Sequence, residues 1–322
     1  MATSPSIQID QLRPDLADML IPFDVRMNQA GMIGLRLFPV LEVGLQSDSY
    51  PVLKIGDVLQ KRVDDRRASD GSYNKVGGKF GKDSYATEEH GIEERVDRRE
   101  AKRWKGWIDA ELMAAVRAQN MVLQNHEARV IELIEALSNT TSIGTPWSTF
   151  ATATPITDIM TAKKKMRARC GLIPNVLTIE WDTLCNLQMC AQVIERLGSL
   201  GVNATDPKMI SAAMLARVFD LDEVIVSGSM ENTANEAKDA VLASLWNADK
   251  ALLCVRSSSQ DMKSPRLGNT FHWSEDGGDV LGRNLESYYD PSKRGDFIRY
   301  RSDTDEKVIY DACGEVLEGV LT

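Results

Sequence analysis

The sequence predicts an α+β fold, and three observations carry the prediction. An apolar stripe at helical period runs through 109–137 and marks one unusually long helix. From residue 154 onward, short helix-like and strand-like stretches alternate without the regular strand–helix–strand rhythm of a doubly wound sheet. Near the C-terminus, 297–301 and 307–310 read as two strands flanking an acidic link of Asp303, Thr304, Asp305 and Glu306.

The 322 residues are enough for one large or two ordinary domains, and the 43% apolar content is enough to bury a sizeable core. A net charge of −9 argues against a dedicated nucleic-acid coat, which needs basic surface to replace counterions, but is compatible with merely enclosing nucleic acid. The five cysteines have no CxxC spacing and read as reduced, mostly buried thiols of a cytosolic protein. No apolar run approaches the ~18 residues of a membrane span. Residues 1–10 lack the basic-then-apolar pattern of a signal peptide, so neither a span nor a leader is expected.

Residues 1–35 read as an extended arm. A short helix is expected over 13–20 with Pro14 in its first turn. The arm's apolar side chains, Leu16, Leu20 and Phe23 among them, call for a partner surface to hold them. Residues 36–103 form a long glycine-marked excursion. Alternation over 52–60 permits a strand, and 83–97 is its expected return arm. The intervening tip of more than ~20 residues far exceeds ordinary hairpin loops. Its charge is split. Residues 61–82 hold seven basic and three acidic residues, net +4, whereas 83–100 hold seven acidic and three basic, net −4. A charge-balanced solvated loop fits this count, and so do opposite patches meeting between neighbouring subunits.

The long helix carries Leu112, Val116, Leu123, Val130, Ile134 and Leu137 on its stripe, with Asp109 as N-cap. At 1.5 Å per residue it would be roughly 43 Å long. Beyond it, a helix is expected over 157–169 and stopped by Gly171, then a strand over 176–180. A helix follows, capped by Asp182 or Thr183, and another starts at Pro207. Residues 222–228 are the clearest strand, 236–246 read as helical, and 250–255 as a further strand. Residues 267–289 are Gly- and Asp-rich and read as a loop, and 316–321 close the chain as an apolar segment.

Chemistry-bearing motifs are scarce. His90, His126 and His272 are isolated from one another and lack metal-ligand spacing. Neither a nucleophile elbow nor a dinucleotide fingerprint is present. The glycines of 77–82 resemble a phosphate loop only in composition, because Asp83 stands where the Ser or Thr that holds Mg²⁺ is needed. No catalytic residue, metal or cofactor is expected. This inventory suits a structural or assembly protein.

The order of parts resembles the major capsid proteins of tailed bacteriophages with the HK97-type fold. Phe38, Pro39, Val40, Val43 and Tyr50 follow the apolar arm, and a basic glycine-marked loop leads to Tyr85 and the run from His90 to Asp97. Glu127 lies near the middle of the long helix, Pro174-Asn175-Val176-Leu177 precedes a helix, and Trp246 precedes Leu252-Leu253-Cys254-Val255. The resemblance covers nearly the whole chain. It implies an N-terminal arm (1–45), an extended E-loop (46–96), a P-domain with the long spine helix (97–155 and 296–322) and an A-domain (156–295). It further implies self-assembly into hexamers and pentamers of an icosahedral shell that encloses the phage genome without sequence-specific binding. The virion would be its location, after assembly in the host cytoplasm, with scaffolding, portal and decoration proteins as partners. The expected inter-subunit contacts are Arg66, Arg67, Lys75, Lys79, Lys82, Glu88, Glu89, Glu93 and Glu94 in the E-loop and Leu16, Leu20 and Phe23 in the arm. Some members cross-link through Lys and Asn side chains. Lys75, Lys79 and Lys82 stand where an E-loop lysine would, but the rest of that chemistry has no residue-level match. The alternatives are a nanocompartment shell of the encapsulin type, which packages proteins, and a soluble α+β enzyme whose 61–96 loop folds on its own subunit.

Overall fold

A computed structural model describes residues 11–12, 31–53, 56, 59, 61, 66–67, 69, 71–73, 80–104, 110–199, 210–235, 238–257, 264–274 and 284–322. The expected helix over 13–20, the Asp109 cap and the Pro207 helix start lie outside these residues.

The strands are β1 (Gln11–Leu12), β2 (Val40–Val43), β3 (Ser47–Leu53), β4 (Phe80–Ala86), β5 (Glu88–Asp97), β6 (Thr140–Ser142), β7 (Val176–Glu180) and β8 (Glu223–Ser227). They continue with β9 (Met230–Asn232), β10 (Leu242–Ser244), β11 (Lys250–Cys254), β12 (Gly268–Trp273), β13 (Leu285–Asp290), β14 (Gly295–Val308) and β15 (Gly314–Glu318). The helices are α1 (Gly34–Leu37), α2 (Arg98–Trp104), α3 (Ala110–Glu135), α4 (Pro155–Cys170), α5 (Trp181–Met189), α6 (Ala191–Ser199) and α7 (Ala212–Phe219).

Helix α3 is the axis of the fold. Its 26 residues contain no Gly or Pro, and it is roughly 39 Å long. Its N-terminal half buries Ala114, Ala115 and Ala118, whose small side chains let it lie close to Val96, Leu285, Ile298 and Tyr300. Those residues belong to a six-stranded sheet ordered β1-β13-β14-β12-β2, with β5 also on β14. The C-terminal half of α3 buries Val130, Ile131 and Ile134 against Val176, Ile225, Leu252 and Val316 of a second sheet, ordered β6-β15-β11-β7-β8. The intervening side chains Leu177, Val224, Leu253 and Leu317 point into a cluster with Ile159, Met166, Leu187 and Leu215 of α4, α5 and α7. Covered on both faces, these strands need apolar residues at every position, which is why they read as continuous hydrophobic runs.

The local chemistry of the helix ends is conventional. Pro155 opens α4, and Gly171 closes it in the left-handed region at φ 75°. The cap of α5 is Glu180, whose carboxylate accepts from the Asp182 amide, rather than Asp182 or Thr183. Helix α7 is capped by Ser211.

Four expectations are corrected. The 303–306 link is not a turn but lies within the C-terminal half of the 14-residue strand β14. Its acids are engaged by distant groups: Arg129 binds Glu306, and the Ala86 amide donates to Asp305. The 236–246 stretch is not helical where it is described. Leu242–Ser244 pairs with Met230–Asn232 as a two-stranded ribbon, and the Asn232 side chain accepts from the Ala234 and Val241 amides. The 267–289 stretch contributes β12 and β13 to the six-stranded sheet. The strand expected over 52–60 lies earlier, at Ser47–Leu53.

Cysteine behaves as a core residue. All five thiols are free, and four are buried. Burial pushes Cys254 and Cys313 up to about 12, so they stay protonated and inert near neutral pH. Leu253 is fully buried on the helix-covered face of β11. Leu253→Ala should lower unfolding stability by about 2–5 kcal/mol. Urea denaturation of the unassembled chain measures this.

Candidate assembly site

The expected two-armed excursion exists, but its return arm is divided. Strand β4 pairs with β3 from Ser47↔Ala86 to Leu53↔Phe80, making a ribbon that belongs to neither large sheet. After Thr87 the chain becomes β5, which pairs with β14 from Thr304↔Glu88 to Gly295↔Asp97. At the junction, the Thr87 amide donates to the Gln46 carbonyl at 2.9 Å, and the Ala86 amide donates to Asp305 Oδ2 at 2.9 Å. Tyr85 stacks on the fully buried Phe271 ring at 4.7 Å between centroids, and Tyr50 leans on the same ring at 5.4 Å. Burial, reinforced by Asp83, raises the Tyr50 phenol, so it donates to Asp83 Oδ2 as a neutral hydroxyl. The root of the ribbon is therefore fixed by its own subunit.

The expected contact residues separate along this boundary. Lys82 is exposed on β4. Arg66 and Arg67 are exposed in the tip, where Arg67 Nε donates to the Gly71 carbonyl at 2.7 Å and its guanidinium lies 4.8 Å over the Tyr73 ring. Glu88 and Glu89 are exposed at the start of β5. Glu93 and Glu94 engage this chain: Glu93 accepts from Tyr288 at 2.9 Å and pairs with Arg299 at 3.2 Å, and Glu94 pairs with Arg117 at 3.0 Å. The β5 part of the excursion is thus held by partners within its own chain. Lys75, Lys79, Leu16, Leu20 and Phe23 lie outside the described residues.

The arm is tied to the body by a buried carboxylate. Glu127, near the middle of α3, accepts from the Ile33 amide at 3.0 Å, the Gly34 amide at 2.5 Å and Trp246 Nε1 at 2.6 Å. Burial raises its carboxyl above the ordinary value, and the three donors oppose that shift. A Cβ at Gly34 would fall 2.6 Å from Glu127 Oε2, so only glycine permits this approach. Three residues before α1, Gly31 adopts φ 95° and its carbonyl accepts from the Gly228 amide. Arg36 and Arg256 both pair with Glu223 on β8.

One turn of α3 carries a second buried polar group. His126 Nε2 lies 3.1 Å from Thr270 Oγ1 and 3.4 Å from Glu306 Oε1, and Arg129 binds Glu306 through Nε and Nη2. Burial pushes His126 down to about 4, with Arg129 in support, so the imidazole is neutral near pH 7. Burial works to raise the Glu306 carboxyl, but the bond and charge of Arg129 together with His126 and Thr304 outweigh it and leave the group below its ordinary value. Among the described residues, no group of three or more His, Cys, Asp or Glu side chains could hold a metal ion. No helix among them is long and apolar enough to cross a membrane.

Sequence reasoning missed the Phe271 anchor, the Asp305 contact and the Arg129–Glu306–His126 cluster. One signal was present: Glu127 falls on the apolar stripe between Leu123 and Val130, where a carboxylate must be buried and partnered.

No protein-family model and no curated protein matches the sequence. Solved structures do match. A phage-related protein from Bordetella bronchiseptica RB50 aligns at 18% identity and TM-score 0.68, over 97% of this chain and 99% of that one. The capsid of cyanophage P-SCSP1u aligns at 11% identity and TM-score 0.58, over 89% and 87%. A virus-like particle from Pyrococcus furiosus aligns at 14% identity and TM-score 0.52, over 95% and 97%. The chain has the fold of phage capsid proteins. The α+β architecture expected from the resemblance is therefore present.

The unfolded chain protonates His126 near its ordinary 6.5, whereas the folded chain resists until about 4. Its contribution is thus complete above pH 6.5 and is lost as pH falls toward 4. The full difference is about 3 kcal/mol. Urea titrations across this window should show a steeper acid loss in the native chain than in His126→Gln. Equal slopes would remove His126 from the account.

Proposed function

We propose that this chain is the structural subunit of a phage head, assembling into hexamers and pentamers of an icosahedral shell around the genome. The observation that carries the reading is the fold similarity to the cyanophage capsid and to the phage-related protein, over at least 87% of each chain. Self-assembly follows from that likeness, and a structural role without catalysis accords with the residue inventory. The shell is a virion component assembled in the host cytoplasm, with scaffolding, portal and decoration proteins as its partners.

Within that reading, 1–45 serve as the arm, 46–96 as the E-loop, 97–155 with 296–322 as the P-domain, and 156–295 as the A-domain. The basic tip, with Arg66, Arg67, Lys75, Lys79 and Lys82, lies over an adjacent copy and meets its exposed Glu88 and Glu89. Glu93 and Glu94 stand at the edge of that contact, their intrachain partners permitting a shared network. Leu16, Leu20 and Phe23 of the arm bury their apolar surface in the oligomer. Each contact is modest, and multiplicity makes the shell stable. An acidic subunit suits a container into which DNA is loaded, because a tightly binding wall would oppose loading.

The test is expression of the chain alone and with a scaffold, followed by sedimentation and negative-stain microscopy. Closed particles are expected, and a compact monomer under every assembly condition would contradict the reading. Replacing 64–79 by a short linker spares both paired strands of the ribbon. It should abolish particles while leaving the melting of the unassembled subunit unchanged.

A further inference from the structure

A second isolated ribbon, β9–β10, has no role in what has been described. It holds three residue pairs, from Ser244↔Met230 to Leu242↔Asn232, and joins neither large sheet. Ribbons of this kind are marginal in water by themselves. This one is held rigidly at its base. Gln124 of α3 donates to the Met230 carbonyl at 2.7 Å, Ser244 donates to Glu180 Oε1 at 3.1 Å, and the Leu245 amide donates to the Ser229 carbonyl at 3.0 Å. Beyond the base, Leu242 is 66% exposed and Val241 58%, and at the base the Met230 side chain is 49% exposed.

Exposed apolar surface continues onto the elements that hold the base. Trp181, which follows Glu180, is 57% exposed. Met121, one turn before Gln124 on α3, is also exposed. A soluble monomer rarely spends this many large side chains on one neighbourhood, and such patches mark contact surfaces. A pre-ordered ribbon also loses little conformational freedom when it docks.

We infer that the β9–β10 ribbon, with Trp181 beside its base, is a contact surface for a second copy of this chain. The inference rests on the shell reading, which supplies the occupant: in a shell every subunit is surrounded by others of the same sequence. The ribbon projects from one place on each subunit, so a contact with a different surface on the next copy propagates head to tail, and it closes as a ring where the rotation between copies closes. It is separate from the β3–β4 ribbon and requires none of the E-loop charges.

Leu242→Asp tests it, with Leu242→Met as the control. Leu242 makes no core contact, so the unassembled subunit should keep its circular dichroism and melting temperature. The concentration needed for particles should rise at least ~10-fold for Leu242→Asp and stay unchanged for Leu242→Met. Assembly of Leu242→Asp at the native concentration would overturn the inference and leave the shell reading intact. Native chain that forms no particles would overturn both. Should Leu242→Asp fail to fold, hydrogen exchange of the native protein decides. Amides of 230–232 and 242–244 should exchange at least ~10-fold more slowly in particles than in unassembled subunits, and equal rates would overturn the inference.

Discussion

The Glu127 carboxylate sets the geometry on which the rest depends. It sits where α3 passes from one sheet to the other and gathers donors from the arm and from Trp246, just before β11. A buried carboxylate without partners is expensive, so the fold is stable only when all three approach together. That requirement explains the glycine at 34, the helix that begins there, and the entry of β2 beside β12 in parallel register. A buried residue thereby fixes where the backbone at Ile33 and Gly34 crosses α3.

The excursion that dominates the sequence is two objects. Its acidic return strand belongs to the six-stranded sheet and is held by β14, Arg299 and Arg117. Its other part is a ribbon whose root is pinned by Tyr50, Tyr85 and Phe271. Root and tip differ: the subunit's own aromatic residues fix the root of the ribbon, and Arg66 and Arg67 of the tip are exposed. The same division recurs in β9–β10, bonded at its base and apolar at its end.

Much of this was legible in the sequence for identifiable reasons. The long helix, the 176–180 strand and the 223–227 strand announce themselves because period and burial agree along continuous stretches. Asp303 to Glu306 misled because acidic residues next to Thr read as a turn. Nothing local reveals that Arg129, His126 and the Ala86 amide wait across the chain. Leu242–Ser244 misled because three residues cannot display a strand period, and the Asn232 side chain that organises the ribbon lies ten residues away. Of the expected contact residues, the charges of the tip were visible, whereas the intrachain pairing of Glu93 and Glu94 depends on partners about 200 residues and one helix distant.

The most direct test of the Glu127 clamp is amide hydrogen exchange at Ile33 and Gly34 in native and Glu127→Gln subunits. If the carboxylate holds the arm, both amides are protected in the native chain. In the variant they exchange at least ~10-fold faster, in keeping with the loss of charge-assisted bonds, while the β7 and β11 amides stay slow. Equal protection of Ile33 and Gly34 in the two proteins would contradict the clamp.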